Sequence, residues 1–508
     1  MRSMLAAMSS CLFSIISFFG ILESSNAIPT SLVLRSAAPQ IKWSNCTQSD
    51  APGLQCGYLA VPLDYSDVQG DTIQLGMVRI STSSPSRIGT LFYNPGGPGD
   101  EASDYLFGVE NGLPNFSPAL LEAYDIIGID PRGVGLSSAI QCDPDIYNER
   151  VSLFPKTQSE FQELLNYNER LGESCLQLSG PLLQHLDTIN VVRDMERVRI
   201  ALGDGEKLNF LGRSYGSEIG VRYAEFYPNN INRMALDGIV DRTQSEINTF
   251  NDEATAYENT LNQFFTWCNT TTTCALHGQD ARAIFSSLFQ SASNAPIPAP
   301  GCLQTGDYAC RSDVTGEEIL ANVQGYLLFQ NATANYPGWD FVSLALLQAS
   351  EGNATLLSTE LASSNTTWQY PTLAIGCQDW LHTNSLSALL YKQSLANITA
   401  PLTKGMTQSY YYQTACLGWP APTTNPQKPL NQTALETIPP FLLVNAQHDP
   451  STSFVWATGV QNLLPRSVLL TRVGSGHTSY QLMGEAAEAI DDFLIGGVMP
   501  ALNSFVYS

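Results

Sequence analysis

Leu208-Asn209-Phe210-Leu211 is an apolar run that feeds directly into Gly212-Arg213-Ser214-Tyr215-Gly216, and Glu218 to Tyr227 then reads as a helix stopped by Pro228. A strand, a tight turn and a helix in that order narrow the possible folds sharply. The turn must hold its central serine at strained backbone angles, and glycine on either side lets it approach its neighbours without a β-carbon in the way. A bare G-x-S-x-G is common in ordinary glycine-rich turns. Placed between a strand and a helix it marks Ser214 as a candidate nucleophile.

A serine hydroxyl is a weak nucleophile at neutral pH. It needs an imidazole to take its proton and a carboxylate to orient that imidazole and stabilise its charged form. Asp449 follows the apolar run Phe441-Leu442-Leu443-Val444, and His477 follows Val468 to Val473 in the loop Gly474-Ser475-Gly476-His477. Of the five histidines (185, 277, 382, 448 and 477), His477 alone follows a C-terminal strand in a glycine-rich loop. His448 is the rival base and Asp237 the rival acid; Asp237 is expected instead to cap the loop Asp237-Gly238. Thr90 to Tyr93 reads as a strand running into Asn94-Pro95-Gly96-Gly97-Pro98-Gly99. Glycines there can aim backbone N–H groups at the oxyanion of a tetrahedral intermediate, with the N–H of Tyr215 as second donor.

The chain order Ser, Asp, His is that of α/β-hydrolases. Asn94 to Gly99, Asp125-Ile126-Ile127-Gly128-Ile129-Asp130-Pro131-Arg132-Gly133-Val134-Gly135-Leu136-Ser137, the serine elbow and Leu236-Asp237-Gly238 together resemble the prolyl iminopeptidase and tripeptidyl aminopeptidase branch of that superfamily. Ala374 to Asp379, Cys416-Leu417-Gly418-Trp419-Pro420 and the Asp449 and His477 strands resemble the C-terminal region of the secreted tripeptidyl aminopeptidase-like group. The resemblance covers most of residues 40 to 490 and is weakest from about 240 to 370. It implies Ser214, Asp449 and His477 as a triad and Gly97 and Tyr215 as the oxyanion donors; no C-x-x-C or Cys/His cluster suggests a metal, and such a triad needs no metal or cofactor.

The N-terminus reads as a secretory signal. Arg2 supplies the positive charge, Leu12 to Leu22 is too short to span a membrane, and Ser25-Asn26-Ala27 offers cleavage after Ala27. Cys11 lies in that segment; the ten remaining cysteines suit an oxidising compartment. Sequence does not fix their connectivity, and nearest-neighbour pairing predicts Cys46–Cys56, Cys142–Cys175, Cys268–Cys274, Cys302–Cys310 and Cys377–Cys416. Eight N-x-S/T sequons, at Asn45, Asn115, Asn269, Asn331, Asn353, Asn365, Asn397 and Asn431, agree with a eukaryotic secretory route to the extracellular space. A net charge of −23 repels nucleic acid and anionic membrane and favours solubility in an acidic medium.

Along the chain, strands at 59–63, 73–80, 90–93, 126–129, 208–211, 234–236, 441–444 and 468–473 alternate with helices at 188–202, 453–464 and 482–494. The first two strands read as a hairpin. This predicts an α/β fold with a mostly parallel, doubly wound sheet whose chemistry sits at the C-terminal strand ends. Residues 28–240 and 371–508 are expected to form the two parts of that core, and residues 241–370 a largely helical cap. The cap carries thirteen acidic residues against three arginines and no lysine, and holds Trp267, Trp339 and Trp368. An acidic, aromatic lid suits a substrate with an apolar side chain and a cationic end, with Glu246, Asp252, Glu253 and Glu258 as candidates to meet an ammonium. The leading expectation is a secreted serine exopeptidase acting at a free N-terminus. A hydrolase of small esters, lactones or amides is the alternative; an inactive binding protein of the same fold is disfavoured because all three triad residues are present. A carboxypeptidase is disfavoured by the acidic lid.

Overall fold

The computed structural model describes residues 40–47, 53–203, 205, 207–302, 309–382 and 385–507. The expected signal segment and Cys11 lie outside the described residues. Ten strands make one sheet: β1 (Lys42–Asn45), β2 (Leu54–Pro62), β3 (Thr72–Ile80), β4 (Gly89–Asn94), β5 (Tyr124–Ile129), β6 (Leu208–Arg213), β7 (Ile231–Asp237), β10 (Leu442–His448), β11 (Val468–Ser475) and β12 (Phe505–Tyr507); β8 (Ile297–Pro298) and β9 (Asp313–Val314) pair apart from it. Their order in space is β1-β2-β3-β5-β4-β6-β7-β10-β11-β12. From β5 to β12 every pairing is parallel, while β1, β2 and β3 add an antiparallel edge. The doubly wound α/β architecture expected from the sequence is therefore present, hairpin included.

Helices cover both faces, so the central strands are buried throughout and read as continuous apolar runs. Successive side chains divide between two cores. Phe92, Phe210, Leu236 and Leu443 pack with Val192, Met195, Val198 and Ile219 on one face. Leu91, Leu211, Ala235 and Leu442 pack with Leu106, Leu120, Ile490 and Leu494 on the other. The helix Thr188–Leu202 has the bounds its apolar spacing predicts. Asp187 caps its start by accepting from the Asn190 amide, and Gly203, at φ 75°, ends it in the left-handed conformation that glycine adopts without cost.

Between β7 and β10 the chain leaves the sheet. Helices Glu246–Thr270, Ala281–Asn294, Gly316–Tyr326 and Trp339–Ser350 enclose a separate core around Phe264, Phe285, Leu320, Val323, Trp339 and Leu346. Helices Gln369–Asp379, Leu386–Thr399 and Gln408–Ala415 bring the chain back. This helical layer also draws on Gln158–Ser179, which lies between β5 and β6: Phe161 and Leu164 pack with Phe250, Leu389 and Tyr410. All five nearest-neighbour disulfides are formed.

Candidate active site

β6 ends at Arg213, and the next residue, Ser214, takes φ 54° and ψ −125°, a strained region for a residue with a side chain. The strain is held by neighbours. The Ser214 amide donates to the Asp237 carbonyl at 2.8 Å, and its own carbonyl accepts from the Ser217 amide at 2.8 Å. A β-carbon on Gly212 would overlap the Gly216 carbonyl, and one on Gly216 would lie 2.8 Å from the Asn94 carbonyl. Both glycines are thus required by close approach, as the motif predicts.

Asp449 and His477 meet at the ends of β10 and β11. Nδ1 of His477 lies 2.9 and 3.0 Å from the two carboxylate oxygens of Asp449. The carboxylate also accepts from the amides of Ser451 and Thr452, each at 2.8 Å, and from the Thr452 hydroxyl at 2.7 Å. Burial by itself would raise the Asp449 carboxyl; His477 and these donors outweigh it and hold the group below the usual carboxylate range.

Gly238 lies under the imidazole: a β-carbon there would stand 3.3 Å from Cε1 of His477 and 3.1 Å from Oγ1 of Thr452. Since the Ser214 amide is bonded to Asp237, the end of β7 brings the elbow and the His477 loop together. The rivals have other partners. Asp237 accepts from the amides of Ser479 and Tyr480 at 2.7 and 2.8 Å, so it fixes the loop beyond His477 rather than its own turn with Gly238. His448 is half-buried, and its carbonyl accepts from the Gly476 amide at 3.0 Å.

The glycine-rich loop after β4 lies against the elbow. A β-carbon on Gly96 would fall 2.8 Å from Cβ of Ser214 and 3.1 Å from the Tyr215 amide nitrogen. Gly96 and Gly97 both take positive φ, and Gly97 is joined to Pro98 by a cis peptide bond. Just beyond, burial pushes Asp100 up to about 6, against the opposing pull of Arg213 and His477. Burial together with the neighbouring carboxylates pushes Glu101 up to about 7.

Sequence reasoning missed several groups around this centre. Asp379 is fully buried and accepts from Tyr215, Thr188 and Asn425; it lies in a motif that carried the resemblance, yet its role shows in no local pattern. Thr452 bridges Asp449 and His477, with Oγ1 3.2 Å from Nδ1. Three of the four carboxylates expected to meet a substrate ammonium have internal partners. Glu246 pairs with Lys392, Glu253 accepts from the amides of Gln408 and Ser409, and Glu258 accepts from those of Leu402 and Thr403. Asp252, the fourth, is half-buried, its carboxyl raised by burial and Asp241 against the opposing pull of the Trp456 side chain. Among the described residues no group of three or more His, Cys, Asp or Glu side chains is placed to hold a metal ion, and no helix is long and apolar enough to cross a membrane.

Comparison with known proteins places these features in a family. Residues 89–480 match the model of the alpha/beta hydrolase fold. Serine protease Hip1 of Mycobacterium tuberculosis is 29% identical over 484 residues, covering 91% of this chain and 89% of that protein. Tripeptidyl aminopeptidase of Streptomyces lividans is 27% identical over 482 residues, covering 90% and 84%. Carboxylesterase B of Mycobacterium tuberculosis is 24% identical over 484 residues, covering 91% and 89%. With its family model matched from β4 to the loop that carries His477, the chain belongs to the alpha/beta hydrolase family.

Proposed function

We propose that this chain is a secreted serine exopeptidase that releases residues from the free N-terminus of peptides. The observation that carries the chemistry is the Asp449–His477 pair at the ends of β10 and β11, with Ser214 held at positive φ at the end of β6. In this reading Oγ of Ser214 attacks the scissile carbonyl carbon while Nε2 of His477 takes its proton. The oxyanion is received by the N–H groups of Gly97 and Tyr215. His477 then gives the proton to the leaving amine as the C–N bond breaks, and water, deprotonated by the same imidazole, releases the acyl group from Ser214. Asp449 keeps the imidazole in the tautomer that presents Nε2 and stabilises its charged form.

One observation favours a peptide. The relatives include a protein named as a serine protease and one named as a tripeptidyl aminopeptidase. Separately, a cavity of about 880 Å³ lies in the helical layer, walled by Tyr147, Phe154, Tyr167, Phe289 and Tyr411 and reaching Gln408; Ser214, Asp449 and His477 do not line it. Its size is that of a ligand pocket rather than a packing defect. We assign residues 241–370 as the cap over the site, residues 28–240 and 371–508 as the two parts of the hydrolase core, and residues 1–27 as the signal. The named carboxylesterase keeps the alternative, a hydrolase of small esters or amides, in view.

One experiment separates the readings. A peptide library and its N-acetylated copy are digested with purified protein, and the products are weighed. Release of short N-terminal pieces from the free peptides alone is the expected result. Equal cleavage of both sets ends the exopeptidase reading, and cleavage of simple acyl esters with neither peptide set replaces it by the esterase.

A further inference from the structure

The segment between β7 and β10 is bonded into every loop of the candidate catalytic centre. At the acid loop, Nε2 of Gln324 donates to the Pro450 carbonyl at 3.2 Å, and Oγ1 of Thr260 donates to the His448 carbonyl at 3.1 Å. At the base loop, the His477 amide donates to the Leu328 carbonyl at 2.5 Å, and Phe329 forms a β-bridge with Gly476. A β-carbon on Gly476 would stand 2.8 Å from that same Leu328 carbonyl, so the base loop and the insertion are in direct backbone contact. At the oxyanion loop, Nε2 of Gln408 donates to the Gly97 carbonyl at 3.1 Å.

Two of these contacts share one anchor. Glu253 is 2% exposed, and its carboxylate accepts from the Gln408 amide at 3.1 Å, the Ser409 amide at 2.9 Å, the Ser409 hydroxyl and Nε2 of Gln324 at 3.4 Å. Burial pushes this carboxyl up to about 7 against the pull of these donors, and a buried group that joins several donors is a rigid junction. Gln324 and Gln408 also line the cavity of the helical layer, so each stands between that cavity and a loop of the candidate site.

We infer that the insertion is part of the catalytic machinery rather than a detachable lid: Glu253 orients Gln324 and Gln408, and these hold the acid loop at Pro450 and the oxyanion loop at Gly97 in their working positions. All three are positioning residues. The Gly97 carbonyl belongs to the residue whose N–H is assigned to the oxyanion, and fixing one side of that residue limits rotation of the other. Misplacing a donor by a fraction of an ångström is enough to lower turnover. The inference rests on the triad and oxyanion assignments above, but not on the choice of peptide as substrate.

The test uses a substrate too small to fill the cavity. Gln324→Ala, Gln408→Ala, the double variant and Glu253→Gln are compared with the parent on p-nitrophenyl acetate and on a peptide, with melting temperature followed in parallel. Each glutamine variant is expected to lower kcat for the acetate ester by about tenfold with KM within roughly twofold. Glu253→Gln is expected to approach the double variant, because Glu253 holds the Gln324 side chain and the backbone N–H of Gln408, on which the Gly97 contact depends. Unchanged ester turnover with a raised KM for the peptide makes the glutamines substrate contacts and overturns the inference. Losses that track the unfolded fraction by circular dichroism overturn it as well. If Glu253→Gln does not fold, the two glutamine variants decide alone. Ester activity that survives Ser214→Ala refutes the site assignment itself, whereas ester cleavage without peptide cleavage refutes only the exopeptidase reading.

Discussion

The phenol of Tyr215, one residue beyond the elbow serine, donates to the carboxylate of Asp379, 164 residues later in the chain. The same carboxylate accepts from the Thr188 amide and hydroxyl and from Nδ2 of Asn425, so it ties the elbow helix to two distant segments. Replacing Asp379 with Ala leaves these buried donors without an acceptor. We expect a loss of about 3 kcal/mol or more, against about 1–2 kcal/mol for Tyr215→Phe, which removes one hydroxyl and its bonds to Asp379 and Thr188. Urea denaturation checks the ranking; an Asp379→Ala protein within 1 kcal/mol of the parent would contradict the network.

Ser214 is expected to be the one serine labelled by a fluorophosphonate, because an activated hydroxyl attacks phosphorus at a useful rate and an ordinary one does not. Ser214→Ala should fold and lose turnover by on the order of a millionfold. Labelling at another serine, mapped by peptide mass, removes the assignment.

Asp449→Asn and Asp237→Asn should fail in different ways. The first presents an amide to Nδ1 of His477 and favours the wrong tautomer, so kcat should fall by on the order of ten-thousandfold with the fold retained. The second turns an amide toward the N–H groups of Ser479 and Tyr480; it should cost about 1–3 kcal/mol of stability with a smaller loss of turnover. A larger kinetic loss in Asp237→Asn reverses the two roles.

Stability should be greatest in mildly acid solution. Burial pushes Asp100 and Asp130 up to about 6 and Glu101 up to about 7. Between the unfolded value near ~4 and these folded values, the native state keeps protons that the unfolded chain has lost. These groups therefore weaken the fold as pH rises through that window. Asp449, held low, acts in the opposite sense and withdraws its contribution only as pH falls through its folded value, below ~4. Melting temperature scanned from pH 4 to 9 should peak near ~5 and decline toward 8. A steady rise over that interval would show that other groups dominate.

The sequons are not equivalent. Asn115 is 2% exposed, and both ends of its amide are used: Nδ2 donates to the Tyr105 carbonyl at 2.8 Å and Oδ1 accepts from Asn335 at 2.9 Å. A glycan there is incompatible with the fold. Asn45, Asn269, Asn331, Asn365, Asn397 and Asn431 are exposed. Protein from a eukaryotic host, deglycosylated enzymatically in heavy-oxygen water, should acquire label at exposed sequons and none at Asn115.

The parts of this structure that follow from short-range rules could be read from the sequence. The elbow is such a case, because its glycines answer to contacts within one turn. So are the Thr188–Leu202 helix, the eight expected strands and the five bridges between neighbouring cysteines. The edge strands β1 and β12 were not legible, since they are short and carry little alternation. The Gln158–Ser179 helix escaped for another reason: Phe161 and Leu164 are apolar for the sake of Phe250 and Leu389, far along the chain. Glutamine has no periodic signature at all. Gln408 reaches Gly97 across 311 residues, a relationship that only the folded arrangement creates.

The bridges are all local, the widest joining Cys377 to Cys416 across 39 residues. Among the described residues no disulfide crosses the seam where β7 meets β10, which joins the early and late parts of the sheet. A chain emerging N-terminus first into an oxidising lumen can thus close each bridge soon after synthesis and still lack β10 and β11. In the proposed reading, Ser214 is made and flanked by its glycines long before Asp449 and His477, the residues assigned to activate it. On that reading nascent chains stay inert toward their own neighbours until synthesis is nearly complete, a delay set by the order of the strands alone.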